Sequence, residues 1–186
     1  MNTVEPIRDI NLVWDIADYL KEKSERNYVM FLCGIYMGLR ISDILKLQVR
    51  DVRKKQYVIL REKKTGKEKK FPINKELQPI LDSYLADKSD YEYLFSSRQG
   101  KQPITRQQAY NIISSAGQKF GLDSIGTHTL RKTFGYHMYK QTGDIATLKD
   151  ILNHSDISVT FRYIGINQET KDDRIESLSY KKRGRQ

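Results

Sequence analysis

Apolar residues recur at helical spacing through most of the chain. Ile10, Val13, Trp14, Ala17 and Leu20 share one face of a helix predicted from about Asp9 to Lys23, with Trp14 expected in the core. A second helix starts near Glu25 and carries the longest apolar run, Val29 to Leu39, as far as Met37. Gly38 then permits a break. Ser42 is the expected N-cap of a short third helix holding Ile44, Leu45 and Leu47. The pattern then changes. Tyr57-Val58-Ile59-Leu60 is rich in β-formers, Lys64-Thr65-Gly66-Lys67 is polar, and Lys70-Phe71-Pro72-Ile73 is apolar again, which predicts a hairpin with a basic tip. Helical spacing resumes behind an Asn74 cap through Leu85. It continues behind a Thr105 cap to Gly121, from about Thr127 to Gly143, and behind an Asp144 cap through Leu152. Ser158 is the expected cap of a short turn holding Tyr163. A last helix is expected from Gln168 to Leu178, before the basic tail Lys181 to Arg185. The expected fold is α+β, mainly helical, with one small antiparallel sheet. Residues 1–180 are expected to form one domain and 181–186 a tail.

Composition narrows the class of partner. The 186 residues carry 33 Lys and Arg against 23 Asp and Glu, a net charge of +10. Such a surplus favours a polyanion, with nucleic acid first and an anionic membrane surface second. No apolar run has the length to span a bilayer. No helix with a basic face and a large apolar face stands out for the membrane surface, and the first ten residues do not resemble a secretory signal. The single cysteine, Cys33, lies in the apolar run and reads as a buried small hydrophobe. One cysteine forms no internal disulfide and no multi-thiolate zinc site.

Four segments carry candidate chemistry. In His128-Thr129-Leu130-Arg131 the imidazole and guanidinium stand three apart, so one helix face presents both to a single target, with Leu130 turned to the core. Two cationic hydrogen-bonding groups suit a phosphate. In Gly38-Leu39-Arg40-Ile41-Ser42-Asp43, Arg40 sits at a helix break close to the core, and Asp43 is placed to orient it. Leu152-Asn153-His154-Ser155 precedes Tyr163, one of 12 tyrosines. Lys63, Lys64, Lys67, Lys69 and Lys70 crowd the hairpin, where a basic loop suits a DNA backbone. Each segment has a plain structural alternative: a surface pair, an Arg–Asp contact, a packed aromatic, a solvated charge run.

The order of these segments is what is specific. GLRISDILKL, a lysine hairpin, HTLRKT and LNHSDISVTFRYI follow one another over about residues 5 to 175, and the succession resembles the catalytic domain of tyrosine recombinases, the phage-integrase family. The resemblance implies site-specific DNA recombination through a 3′-phosphotyrosyl intermediate, with release of a 5′-hydroxyl and without metal or nucleotide. It implies Tyr163 as nucleophile and Arg40 and Arg131 as a clamp on the scissile phosphate. His154 matches a hydrogen-bond donor to the same oxygens, and His128 a donor or a general base. Lys64 is the best match to the lysine that protonates the leaving oxygen, with Lys63 and Lys67 close by. Double-stranded DNA is the implied partner, and the last helix, with Ile175 and Leu178, either docks on a second copy or packs on its own domain. The implied setting is the cytoplasm and nucleoid of a bacterium, or a phage gene. Two features depart from the family. Few residues precede the first helix, so its usual N-terminal DNA-clamping domain is expected to be absent. Asn153 stands where Gly is usual, and Asn tolerates the left-handed turn. Competing readings are a type IB topoisomerase and a DNA-binding regulator that keeps the fold without catalysis. His137, Tyr136 and Tyr139 read as structural.

Overall fold

The computed structural model describes residues 4–61, 68–98 and 102–166, together with Glu176 and Leu178. The helix α1 (Ile10–Lys23) begins at Asp9, whose side chain accepts from Asn11 N at 2.9 Å. Ser24 separates it from α2 (Glu25–Met37). Five successive residues of α2, Val29 to Cys33, are fully buried, because α2 packs on α1, on α4 (Leu77–Leu85) and on α6 (Thr127–Thr142). A helix apolar all round belongs in the middle of a core. The third helix, α3 (Ile41–Ile44), is a single turn. A two-stranded antiparallel sheet follows, β1 (Tyr57–Arg61) against β2 (Glu68–Pro72), in register from Tyr57 opposite Pro72 to Arg61 opposite Glu68. The predicted hairpin and its position are therefore observed, while its tip lies outside the described residues. α5 (Arg106–Lys119) starts on a Thr105–Gln108 capping box. Among the described residues, no helix is long and apolar enough to cross a membrane.

The core divides in two along α6. Most apolar residues, from Ile7 to Leu130, form one cluster around α2. A smaller one joins Tyr139 of α6, Leu148 and Leu152 of α7 (Ile145–Leu152), and Ile164 and Ile166 just beyond α8 (Ile157–Tyr163). α6 thus touches both, and the candidate chemistry lies on elements that meet along it. The α2–α6 crossing is close: a Cβ at Gly34 would lie 2.5 Å from Leu130 Cδ1.

Four local expectations are corrected. Trp14 is 40% exposed and Ile10 49%. The buried stripe of α1 is Val13, Ile16, Ala17 and Leu20, and Trp14 falls beside it, on the rim of a groove of about 450 Å³ between α1, α2 and α6. Ser42 lies inside α3, which is capped by Arg40, because Gly38 ends α2 and Leu39 and Arg40 complete the turn. Asn74 does not cap α4 directly. Its side chain accepts from Glu76 N at 2.8 Å, forming a turn ahead of the helix. α8 is capped by Asp156 rather than Ser158, whose backbone N–H donates to the Asp156 carboxylate at 2.6 Å. The last helix and the tail lie outside the described residues except Glu176 and Leu178.

Gly34→Ala is expected to destabilise the protein by about 1–3 kcal/mol, because Leu130 and the helices around it must move apart. Denaturant unfolding checks this. An unchanged midpoint would mean that α2 and α6 do not approach so closely.

Candidate active site

Leu130 is buried in the main core and anchors the start of α6, as expected. Thr129 Oγ1 accepts from Gly126 N at 3.1 Å and closes the first turn. His128 is exposed, whereas Arg131 is only 6% exposed. The Arg131 guanidinium is held by two backbone carbonyls. Nη1 donates to Gly38 O, and Nη2 donates to Leu152 O at 2.7 Å. Gly38 is the left-handed C-cap of α2, and Leu152 is the last residue of α7. Carbonyls at helix C-termini lack intrahelical partners and carry partial negative charge, so a buried cation suits them. Arg40 lies two residues beyond the first carbonyl and His154 two beyond the second. Arg131 therefore sets the spacing of the other candidates.

Arg40 caps α3 with an extended backbone, and its side chain is exposed. The expectation that it lies close to the core holds for its backbone only. Asp43 does not pair with it. Asp43 sits within the turn of α3, and its charge acts on Arg131 instead. Asn153 ends α7 in the left-handed region (φ 55°, ψ 45°), the conformation that Asn tolerates in place of Gly. His154 N then donates to Lys149 O at 3.0 Å, which turns the chain back. His154 Nδ1 lies 3.1 Å from Thr160 Oγ1, and the Thr160 hydroxyl donates to Asp156 O at 3.3 Å. Thr160 thereby accepts from Nδ1–H, which leaves Nε2 as the free ring nitrogen. Tyr163 closes α8. Its ring meets the His154 ring edge-on at 5.0 Å between centroids, and Lys132 Nζ lies 5.2 Å from its ring centre.

Arg40, Arg131 and Asn153 line a cleft of about 800 Å³, together with Lys46, Arg61 and Lys69. The hairpin reaches this cleft directly: Lys69 Nζ donates to Asn153 Oδ1 at 2.9 Å. Lys63, Lys64 and Lys67 lie outside the described residues. The other candidates, Arg40, His128, Arg131, His154 and Tyr163, come from segments far apart in sequence and act on one another electrostatically. Burial pushes the Tyr163 phenol above its ordinary value. The charge and hydrogen bonding of Arg131, and then the charge of Arg40, pull it partly back. Partial desolvation likewise lowers His128, helped by Arg106, Arg131, Lys132 and Arg40, and lowers His154, helped by Arg131 and Arg40. Burial also lowers Arg131 and Lys132. The ensemble is a concentration of positive charge around a phenol, suited to a phosphate.

Sequence reasoning missed three residues here. Lys132 follows Arg131 in the same motif but carried no expectation of its own. Thr160 reads as a helix residue until His154 is seen against it. Lys69 was one of five crowded lysines. His137, read as structural, is so: its Nε2 lies 2.9 Å from Ile7 O. Tyr139 is buried against Phe161, as a packing residue should be. Tyr136 also packs, edge-on against His137.

Comparison with known proteins identifies the family and the fold. Residues 8–170 match the model of the phage integrase family. A probable integrase/recombinase of Bacillus subtilis strain 168, YoeC, is 48% identical over 170 residues, which covers 91% of this chain and 94% of that protein. The crystal structure of XerA recombinase superposes with a TM-score of 0.76 at 22% identity, over 95% of this chain and 67% of that one. XerH recombinase in its pre-cleavage complex with difH DNA superposes with a TM-score of 0.69 at 16% identity, over 91% of this chain and 53% of that one. The chain thus spans nearly all of YoeC but only half to two thirds of the two crystallised recombinases.

Arg40→Ala is expected to raise the titration midpoints of both His128 and His154, since it removes a repelling charge from each. In the unaltered protein both should titrate below the ordinary value of about 6.5. NMR of the imidazole protons checks this, and an unmoved or lowered pair of midpoints would count against the shared electrostatic site.

Proposed function

The chain belongs to the phage integrase family of tyrosine recombinases, whose activity is DNA strand exchange, and we propose that Tyr163 is its nucleophile and that Arg40, His128, Arg131 and His154 form its phosphate site. The observation that carries this reading is the double anchoring of Arg131. It brings the segments bearing Arg40 and His154 to one place, beside the Tyr163 phenol. In this reading the phenol oxygen attacks a phosphorus of double-stranded DNA. The P–O bond to the 5′-oxygen breaks, and a 3′-phosphotyrosyl link holds the strand. Arg40 and Arg131 stabilise the charge gathering on the non-bridging oxygens. His154, held through Nδ1 by Thr160, presents Nε2 to the same oxygens when protonated. His128 acts as a donor or as a base toward the phenol. A hairpin lysine, Lys64, gives its proton to the leaving 5′-oxygen. A 5′-hydroxyl from a second strand then reverses the attack, so the phosphodiester energy is conserved and no cofactor is required.

The substrate follows from the charge of the chain and from the complex of the related fold with DNA. A protein working on DNA belongs at the nucleoid. Strand exchange needs two duplexes, and we assign residues 168–178, with Ile175 and Leu178, to a contact with a second copy on DNA. In this reading residues 1–180 act as the catalytic domain.

The test is incubation of the purified chain with supercoiled plasmid and with a duplex nicked near a candidate site, without metal. A covalent protein–DNA adduct is expected, absent in Tyr163→Phe. Arg131→Lys should reduce it at least about a hundredfold, since lysine lacks the planar fork. Salt-sensitive binding with no adduct in any protein would favour a regulator. Plasmid relaxation without strand exchange would favour a topoisomerase.

A further inference from the structure

Lys132 is a lysine in an unusual place. It is 6% exposed, on the helix that carries His128 and Arg131. Lysine is almost never this buried unless paired, because its ammonium loses its water. Among the described residues no carboxylate lies within ion-pairing distance of it. Its ammonium instead lies 5.2 Å from the centre of the Tyr163 ring. The charge of Glu5, in the segment before α1, supports it from farther away. Glu5 is itself tied to Arg8 at 3.2 Å, and Arg8 donates to Gly165 O just beyond the tyrosine helix at 3.2 Å. The segment before α1 thus braces both the ammonium and the end of α8.

We propose that Lys132 is a positioning residue for the nucleophile: its ammonium, set against the Tyr163 ring, orients the phenol and favours phenolate over phenol. The proposal rests on the reading of Tyr163 as the nucleophile. A cation over an aromatic face is attracted by the negative charge of that face. The face of a phenolate is more negative than that of a phenol, so the contact strengthens as the proton leaves. Such a contact lowers the barrier rather than merely tightening the fold. The other charged and titratable groups around the phenol are Arg131 on α6, His154 ahead of α8, and Arg40 at the start of α3. Around the ammonium they are Glu5 and His128. Arg40, Arg131 and His154 are assigned to the phosphate oxygens. Lys132 sits against the ring and serves the tyrosine itself.

The experiment measures single-turnover adduct formation on saturating nicked duplex from neutral to alkaline pH. It compares the unaltered chain with Lys132→Met, Lys132→Gln and Lys132→Arg. Thermal unfolding and DNA binding are recorded for each. Met and Gln should slow the reaction about tenfold near neutrality, approach the unaltered rate at alkaline pH, and leave DNA binding nearly intact. Arg should retain most of the rate. A fluorinated tyrosine at position 163, with its lower phenol pKa, should restore Lys132→Met more than it accelerates the unaltered chain. An unchanged rate and pH profile would overturn the proposal. So would an equal loss at every pH without rescue, since packing alone explains that. No adduct from the unaltered chain would overturn the nucleophile assignment, and this proposal with it.

Discussion

The arrangement depends on one buried guanidinium. Arg131 joins the C-terminal carbonyl of α2 to that of α7, and neither helix end supplies its own partner for it. The cost of burying the cation is offset by two hydrogen bonds and two helix dipoles. Each carbonyl stands two residues before a turn: one leads to Arg40, the other to His154. The backbone therefore converts a structural contact into a chemical spacing. A lysine would reach one carbonyl and release the other, which would loosen Arg40 or His154 as well as remove the fork. In this site the same residue holds the frame and faces the cleft.

Much of this was legible in the sequence, and the reasons are physical. The helices were visible because one buried face at 3.6-residue spacing leaves a clear apolar stripe. The hairpin was visible because β-formers flank a polar, glycine-containing stretch. The site motifs were legible as an ordered set, since His128 and Arg131 stand three apart on α6 and His154 and Tyr163 bracket the turn into α8 and its length. Contacts between elements were not legible. Nothing local to Thr160 marks it as the partner of His154, and nothing local to Lys132 marks it as buried beneath an aromatic ring. Trp14 misled because the stripe of α1 is narrow and a residue one position off it faces a groove. The Arg40–Asp43 pairing failed because Arg40 caps α3 with extended backbone. Its side chain leaves the helix surface on which positions three apart meet.

The turn before α8 shows how a substitution is absorbed. Asn153 takes the left-handed conformation that glycine adopts more cheaply, and its amide oxygen gains a partner, Lys69, from the far side of the cleft. A glycine there has no side chain to make that contact. The price of the less comfortable backbone is thus set against a tie between the hairpin and the turn that carries His154. Thr160 closes the same turn from within, so His154 is held on both sides of its own backbone and through Nδ1.

The electrostatics follow from these attachments. With no anion present, Arg40 and Arg131 repel a proton on His128 and on His154, and burial adds to the effect. Both imidazoles are therefore driven toward neutrality. The phenol is pulled two ways, upward by burial and downward by the same guanidinium groups. In the proposed mechanism, a phosphodiester entering the cleft brings negative charge to these groups. It offsets part of that repulsion at the imidazoles and so favours a proton on His154 Nε2, the nitrogen assigned to the non-bridging oxygens. It also competes with the phenol for Arg131 and Arg40, which weakens their hold on the phenolate as the substrate binds. In the role proposed for Lys132, a cation seated on the ring rather than on the oxygens would keep the phenol poised when the arginines turn to the phosphate.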